Sequence, residues 1–321
     1  MRLVAMAALM GAVIGSASAA AQSYPNRPIR IIVPFPAGGP TDVQSRILAE
    51  KLSERWGQQV IVDNRAGGNT IIGAVAVAKA VPDGYTLLMA IDSTLVMNQY
   101  LYASLPYDPF KDFAPITRVV RGTTVMVTDA ATGPATIKAL IERARAKPGT
   151  LSFGAGTITT QLAGEMFKQQ LGLTIITVPF RGSAPSVQAL LAHDVTYIVD
   201  GLAPSIPHIK NGAFRTLAVT GGHRVAALPG VPTLAEAAGL PGFDIATWQG
   251  LIAPTGTPPA VIAKLHDELG RVLALPEVTD KFATFGLTAD PSATPAEFAT
   301  FIRAEADRWA KVIPTAGIHL D

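Results

Sequence analysis

The sequence predicts an α/β protein of two units, each a sheet of mainly parallel strands covered by helices. Three observations predict it. Short β-branched runs alternate with helical periodicity from Ile29 onward; the alternation stops and restarts near Val125; and in each half a glycine-rich loop joins a strand to a helix. Strand, helix, strand in succession favours parallel pairing through right-handed crossovers. At 321 residues the chain exceeds what one hydrophobic core usually holds, so two domains are expected.

Ile29 to Phe35 (IRIIVPF) reads as a strand buried on both faces, ended by the tight loop Pro36-Ala37-Gly38-Gly39-Pro40. Thr41-Asp42 is an N-cap signal, and Val43, Ile47, Leu48 and Leu52 then recur at helical spacing. Gln59 to Asp63 is a second strand, Ile71 to Ala80 a helix of small residues, and Tyr85 to Ile91 a third strand. The second unit opens with a short strand, Val125 to Thr128, and a helix, Thr136 to Ala146, behind a capping threonine. The strand Leu151 to Phe153 leads through Gly154-Ala155-Gly156-Thr157-Ile158-Thr159-Thr160 into a helix, Gln161 to Gln170. A strand at Ile175 to Pro179, a helix at Ala184 to Ala192, and strands at Val195 to Val199 and Arg215 to Thr220 follow. Two amphipathic helices close the chain, Pro258 to Leu273 and Pro295 to Ile313, each beginning near Thr-Pro. Proline in a first helical turn forfeits no hydrogen bond and presets φ. The chain is expected to cross to the second domain near Arg118 to Val125 and to return near Trp248 to Pro254. That places 22–124 and 247–321 in the first domain and 125–246 in the second.

Residues 1–21 have the layout of a secretory signal peptide: Arg2, an apolar run from Leu3 to Ile14, and small residues at Ala17-Ser18-Ala19 and Ala19-Ala20-Ala21. The run is too short for a bilayer core of ~30 Å, which needs roughly 20 residues. Cleavage removes Arg2 from 26 Lys and Arg, against 24 Asp and Glu, so the remaining net charge is about +1. That balance offers nothing to nucleic acid or an anionic membrane. With no cysteine, the chain has no disulfide, thiol nucleophile or Cys-based metal site.

Enzyme motifs are missing. The five histidines, His193, His208, His223, His266 and His319, form no H-E-x-x-H pair. There is no G-x-S-x-G elbow and no phosphate loop, and Gly154-x-Gly156 lacks the third glycine of a dinucleotide fingerprint because Thr159 stands there. No catalytic residue, metal ligand or cofactor is expected. The chemistry that the pattern favours is anion binding by backbone. A helix N-terminus carries unpaired N–H groups and about half a positive charge, enough to hold a carboxylate without a charged side chain. Gly38-Gly39-Pro40-Thr41 opens one such helix and Gly156-Thr157-Ile158-Thr159-Thr160 another.

A family resemblance is carried by Tyr24-Pro25, Pro28-Ile29-Arg30, Pro34-Phe35-Pro36-Ala37-Gly38-Gly39 with Asp42, and Asn64-Arg65-x-Gly67-Gly68. It continues through Ala80-x-Pro82-Asp83-Gly84-Tyr85-Thr86-Leu87, Leu105-Pro106-Tyr107-Asp108-Pro109, Asp112-Phe113-Ala114-Pro115 and Val178-Pro179-Phe180-Arg181-Gly182-Ser183. Leu217-Ala218-Val219-Thr220, Val231-Pro232-Thr233, Trp248-x-Gly250-Leu251 and Ala253-Pro254-x-Gly256-Thr257-Pro258 complete it. These segments resemble the Bug-type (TctC-like) extracytoplasmic solute receptors of the tripartite tricarboxylate transporter system. The resemblance implies a two-domain type II periplasmic binding protein fold with a ligand cleft between the domains, a periplasmic location, and capture of a small carboxylate. It implies membrane permease subunits as partners, or alternatively a sensor kinase ectodomain, with the monomer as the expected state.

The ligand-binding residues implied by the resemblance are Ala37, Gly38, Gly39, Thr41 and Asp42 in the first loop, and Asp92, Ser93 and Thr94 in a second. From the other domain come Gly156, Thr157, Thr159 and Gln161, then Arg181, Gly182 and Ser183, and the strand end at Asp200. Two positions depart from the family pattern. Gln161 stands where many relatives have histidine. Asp92 stands where a small or hydroxyl residue is common; an ionised Asp92 facing the cleft favours an ammonium, amide or hydroxyl over a second carboxylate. Its competing role is to cap a helix starting at Thr94. Arg181 either pairs with a substrate carboxylate or neutralises a local acid, Asp42 serves the loop and first helical turn, and Trp248 packs at the hinge. Tyr107, Asp108 and Phe110 are turn and staple residues.

Overall fold

Strand β1 (Ile29–Val33) lies between two parallel neighbours, β2 (Val60–Asn64) and β3 (Thr86–Ile91), in a computed structural model that describes residues 24–225, 227–317 and 319–320. The signal peptide expected at 1–21 lies outside the described residues. Apart from the exposed Arg30, β1 is apolar on both faces because helices cover both. α1 (Pro40–Trp56) presents Ile47, Leu48 and Leu52 to one side, and α2 (Ile71–Ala78) presents Ala74 and Val77 to the other. The predicted helix start at Thr41-Asp42 is corrected. Gly39 is the N-cap and Pro40 the first helical residue, so Asp42 sits in the third helical position and serves the cap from inside the turn.

The largest departure from the sequence reading is β4 (Phe113–Asp129), a strand of 17 residues of which only Val125 to Thr128 was expected. Pro115, Arg118, Arg121 and Gly122 break the apolar pattern that would have marked it. The strand accommodates them by slipping register between Pro115 and Thr117 and again between Arg118 and Val120. Over Phe113 to Thr123 it pairs antiparallel with β9 (Ala246–Pro254), which itself pairs antiparallel with β3. From Thr124 onward it pairs instead with β7 (Tyr197–Gly201) and β8 (Phe214–Val219). β4 thus belongs to both halves of one sheet. In the second half β5 (Ser152–Ala155) runs parallel to both β6 (Ile176–Pro179) and β7. The strand order is β2-β1-β3-β9-β4-β7-β5-β6, with β8 and the short β10 (Leu287–Ala289) also on β4.

Helices follow the strands as the alternation requires: α3 (Asn98–Leu101), α4 (Ile137–Ala146, capped by Thr136), α5 (Ile158–Leu171), α6 (Ser183–Leu191), α7 (Leu202–Lys210) and α8 (Leu234–Ala238). The C-terminal part is α9 (Pro259–Leu273), α10 (Pro276–Thr284) and α11 (Pro295–Ala316). On α11 the buried Phe298, Ile302, Ala306, Trp309 and Ile313 recur at steps of three or four, one apolar face. That face packs on the segment after β3, on β4 and on α5, joining both halves of the sheet. One apolar cluster accordingly runs from Ile32 and Leu88 through Phe298 and Trp309 to Phe153 and Leu162. Among the described residues no helix is long and apolar enough to cross a membrane.

Candidate functional site

The site residues expected from sequence lie at the carboxyl ends of β1, β3, β5, β6 and β7, where open α/β sheets hold ligands. Their local geometry sorts them into three groups.

The first group joins the N-termini of α5 and α6. α5 begins at Ile158, three residues before the predicted start, because Thr157 and Thr160 form a reciprocal cap. The Thr160 N–H donates to Thr157 Oγ1 at 3.3 Å, and the Thr157 N–H donates to Thr160 Oγ1 at 3.1 Å. The first intrahelical bond runs from Gln161 N–H to Thr157 O. The helical pattern therefore supplies no acceptor for the N–H groups of Ile158 and Thr159. Beside them, Gly182 donates its N–H to Gly156 O at 3.1 Å. A Cβ on Gly156 would lie 2.7 Å from both Gly182 C and Ser183 N, so only glycine lets the two loops touch. Gly182, at φ +110, is the N-cap of α6 without a side-chain cap. Two helix N-termini meet here, and their partial positive charges add. Arg181 is exposed and forms no ion pair among the described residues. The side chain of half-buried Gln161 forms no hydrogen bond among them either.

The second group is built on Asp200, fully buried at the end of β7. Its Oδ1 accepts from Ser183 Oγ at 2.6 Å and from the Gly201 N–H at 2.7 Å, while Oδ2 has no partner. Burial pushes its pKa up to about 6, partly offset by those two hydrogen bonds. Asp200 fixes Ser183, the first residue of α6, and so fixes that helix N-terminus.

The third group is Asp92-Ser93-Thr94, all buried, where β3 passes into a π-helical turn, Ser93–Met97. Asp92 caps this turn, its Oδ1 accepting from the Ser93 N–H at 2.7 Å. The turn starts at Ser93 rather than Thr94. The same oxygen accepts from Thr159 Oγ1 at 2.9 Å, which ties the end of β3 to the first turn of α5 across 67 residues of sequence. Asp92 Oδ2 and Ser93 Oγ are buried without a partner. Burial drives the Asp92 pKa up to about 7; the bonds from Thr159 and Ser93 oppose the rise, the Trp248 N–H facing the carboxyl opposes it weakly, and the nearby Glu305 reinforces it.

The loop after β1 stands apart from these groups. Ala37 and Gly38 are exposed, Gly39 is half-buried and Thr41 is buried. The Asp42 carboxylate is saturated inside its own loop. It accepts from the Gly38 N–H at 2.8 Å, from Asn64 Nδ2 at 2.9 Å and from Arg46 through both oxygens. Burial works against ionisation, but these donors outweigh it and hold the carboxyl below its ordinary range. This helix terminus already carries its own carboxylate.

Sequence reasoning missed the support beneath the Asp92 turn. Tyr107 Oη donates to Thr94 O at 2.6 Å, Thr94 Oγ1 donates to Thr70 Oγ1 at 2.8 Å, and Asn98 Nδ2 donates to Asn69 O at 3.0 Å. Asn69 and Thr70 both have positive φ, and the preceding Gly67-Gly68 pair was the signal for an unusual turn. Trp248 packs edge-on against Phe298 and Phe301 while its backbone N–H faces Asp92. No group of three His, Asp or Glu side chains able to hold a metal occurs among the described residues.

A strand-end site of buried polar groups and paired helix N-termini, on a sheet of this topology, is the architecture of a solute-binding protein. The family model for the tripartite tricarboxylate transporter family receptor matches residues 44–318. The chain belongs to that family. It is 37% identical to Protein BugT of Bordetella pertussis over 99% of this chain and 98% of that one. It is 40% identical to a protein from the tcbD-tcbE intergenic region of Pseudomonas sp. strain P51, over 91% and 87% respectively. Among solved structures, Rpa4515 of R. palustris with adipate superposes with a TM-score of 0.87 at 34% identity, over 92% of this chain and 99% of that one. MatC of Rhodopseudomonas palustris with bound malate gives 0.82 at 28%, over 90% and 100%. The fold is the type II periplasmic binding protein fold of these receptors, and the family is one of periplasmic solute receptors rather than enzymes.

Proposed function

We propose that this protein is a periplasmic receptor that captures a small organic acid and delivers it to the membrane permease of a tripartite tricarboxylate transporter. The leader at 1–21 directs its export. The two halves that close on the ligand are 22–124 with 247–321, and 125–246, bending about β4 and β9. The observation that carries the reading is the meeting of the α5 and α6 N-termini at Gly156 and Gly182. A ligand carboxylate accepts hydrogen bonds from the N–H groups of Ile158 and Thr159, and from Ser183 and Ala184, with Arg181 at the rim. A charge held this way needs no buried cation, and each helix end contributes without reorganising. Closure brings the end of β3 onto α5, the contact represented by Asp92 and Thr159. Ligand binding stabilises the closed arrangement by mass action on the population that already has it. Adipate on one relative and malate on another support a carboxylic acid as the class of ligand.

A thermal-denaturation screen of the purified protein against about a hundred carboxylic acids tests this. A ligand at ~100 times its dissociation constant adds ~2.7 kcal/mol, a rise of several degrees in melting temperature. One chemically coherent set of acids is expected to raise it. A screen in which no acid does so, with ligand-free protein confirmed by mass spectrometry, contradicts the reading.

A further inference from the structure

Asp92 and Ser93 hold two side-chain oxygens, Asp92 Oδ2 and Ser93 Oγ, that are buried, adjacent in sequence and unpartnered. Buried polar groups in native proteins are paired almost without exception, so two neighbouring orphans mark a place where a further group belongs. The other Asp92 oxygen is bonded to Thr159, in the first turn of α5. The unpartnered oxygen therefore lies within a few atoms of the helix end assigned above to the ligand carboxylate. The groups facing Asp92 come from four elements. They are the Thr159 hydroxyl from α5, the Trp248 N–H from β9, the Ser93 N–H from its own turn, and Glu305 from α11 as a neighbouring acid. No Lys, Arg or His side chain pairs with Asp92 among the described residues. Glu305 is engaged by Arg308 and by Trp248 Nε1. The Ser93 N–H and the Thr159 hydroxyl both bond to one oxygen of this carboxylate, and no side chain supplies a counter-charge to either.

We propose that Asp92 Oδ2 and Ser93 Oγ form a donor-selecting subsite for short acids carrying a hydroxyl or ammonium on the first or second carbon from the carboxylate. The proposal rests on the reading that the α5 N-terminus holds that carboxylate. The ligand substituent donates to Asp92 Oδ2, and Ser93 Oγ accepts a second proton of an ammonium or donates to a hydroxyl oxygen. An unsubstituted acid leaves Asp92 Oδ2 unpaired. A site that demands a hydrogen bond rejects analogues that cannot make it far more strongly than an apolar pocket rejects a missing methylene.

Isothermal titration of wild type, Asp92→Asn and Ser93→Ala with two matched sets tests this: butanoate, 2-hydroxybutanoate and 2-aminobutanoate; and succinate, malate and aspartate. The wild type is expected to bind the substituted members at least ~10-fold tighter than their parents. Asp92→Asn keeps an acceptor for Ser93 N–H and Thr159, so it retains the fold. It is expected to erase the preference for the ammonium members, and Ser93→Ala to reduce it several-fold. If the Asp92→Asn loss is confined to amino acids, the natural substituent is an ammonium; if hydroxy acids lose equally, a hydroxyl serves. Parents bound as tightly as substituted acids, or a preference unchanged in Asp92→Asn, overturns the subsite and leaves the receptor reading standing. Asp92→Asn is expected to bind the parents more tightly than the wild type does, because the amide removes the charge that they leave unpaired. Binding of none of the six acids overturns the subsite as well, and the wider screen then decides the receptor reading independently.

Discussion

Gly156→Ala is expected to weaken binding of any carboxylate ligand by ~100-fold or more while the chain still folds. The added methyl runs into the Gly182–Ser183 peptide, with Gly182 C and Ser183 N at 2.7 Å and Gly182 O at 2.8 Å. None of these atoms is the end of a flexible side chain, so the loops must separate. Overpacking of this kind costs about 1–3 kcal/mol of stability, a fraction of what a chain of this size usually has. Its effect on the site is larger, because separation pulls the α6 N-terminus away from the α5 N-terminus. Two hydrogen bonds to a charged group, each about 1.5–3 kcal/mol, are then lost or lengthened. Calorimetric titration with the strongest ligand from the screen, alongside urea denaturation, separates the two effects. Unchanged affinity would show that the carboxylate is held elsewhere.

Asp92→Asn is expected to stabilise the ligand-free protein above neutral pH by about 2–4 kcal/mol and to do almost nothing near pH 4. Burial raises the folded-state pKa to about 7 from an ordinary carboxyl value of 3.8. An acid with a raised folded pKa contributes its full stability below the unfolded value. That contribution is lost as pH rises toward the folded value and is flat above it. Wild-type stability therefore falls across roughly pH 4 to 7 on account of Asp92, and the amide, which cannot ionise, removes that part of the slope. Asp200, raised to about 6 by burial, adds a smaller slope of the same sign over pH 4 to 6, and the substitution leaves it in place. Urea midpoints of both proteins at pH 4.5 and pH 8 make the comparison. Equal midpoints at pH 8 would mean that Asp92 is hydrated rather than buried.

The parts of the fold legible in the sequence are those whose determinants are local. β1 is a β-branched run stopped by Pro34 and Pro36, α4 and α11 begin at capping threonines, and α9 and α11 carry proline in the first turn. β4 was legible only at Val125 to Thr128, since its first half is held by pairing with β9, over a hundred residues away, and not by its own pattern. α7 was hidden by its prolines: Pro204 falls in the first turn, where no N–H is needed, but Pro207 lies inside the helix and breaks its pattern. The glycines at 156 and 182 were visible as loop signals, but that they touch is a tertiary fact. The same holds for Asp92. Its capping role is local and was readable, whereas its bond to Thr159 and its burial depend on how the end of β3 meets α5.

The central claim is that ligand carboxylate sits between the N-termini of α5 and α6. Amide chemical shifts of uniformly ¹⁵N-labelled protein, titrated with the tightest-binding acid, test it most directly. Hydrogen bonds to a carboxylate move amide protons downfield. The account predicts the largest downfield shifts at Ile158, Thr159, Ser183 and Ala184, with Thr157 and Thr160 moving little because their N–H groups are already committed to the cap. Saturable binding that leaves those four amides in place and moves the loop at Gly38 to Asp42 instead would contradict it.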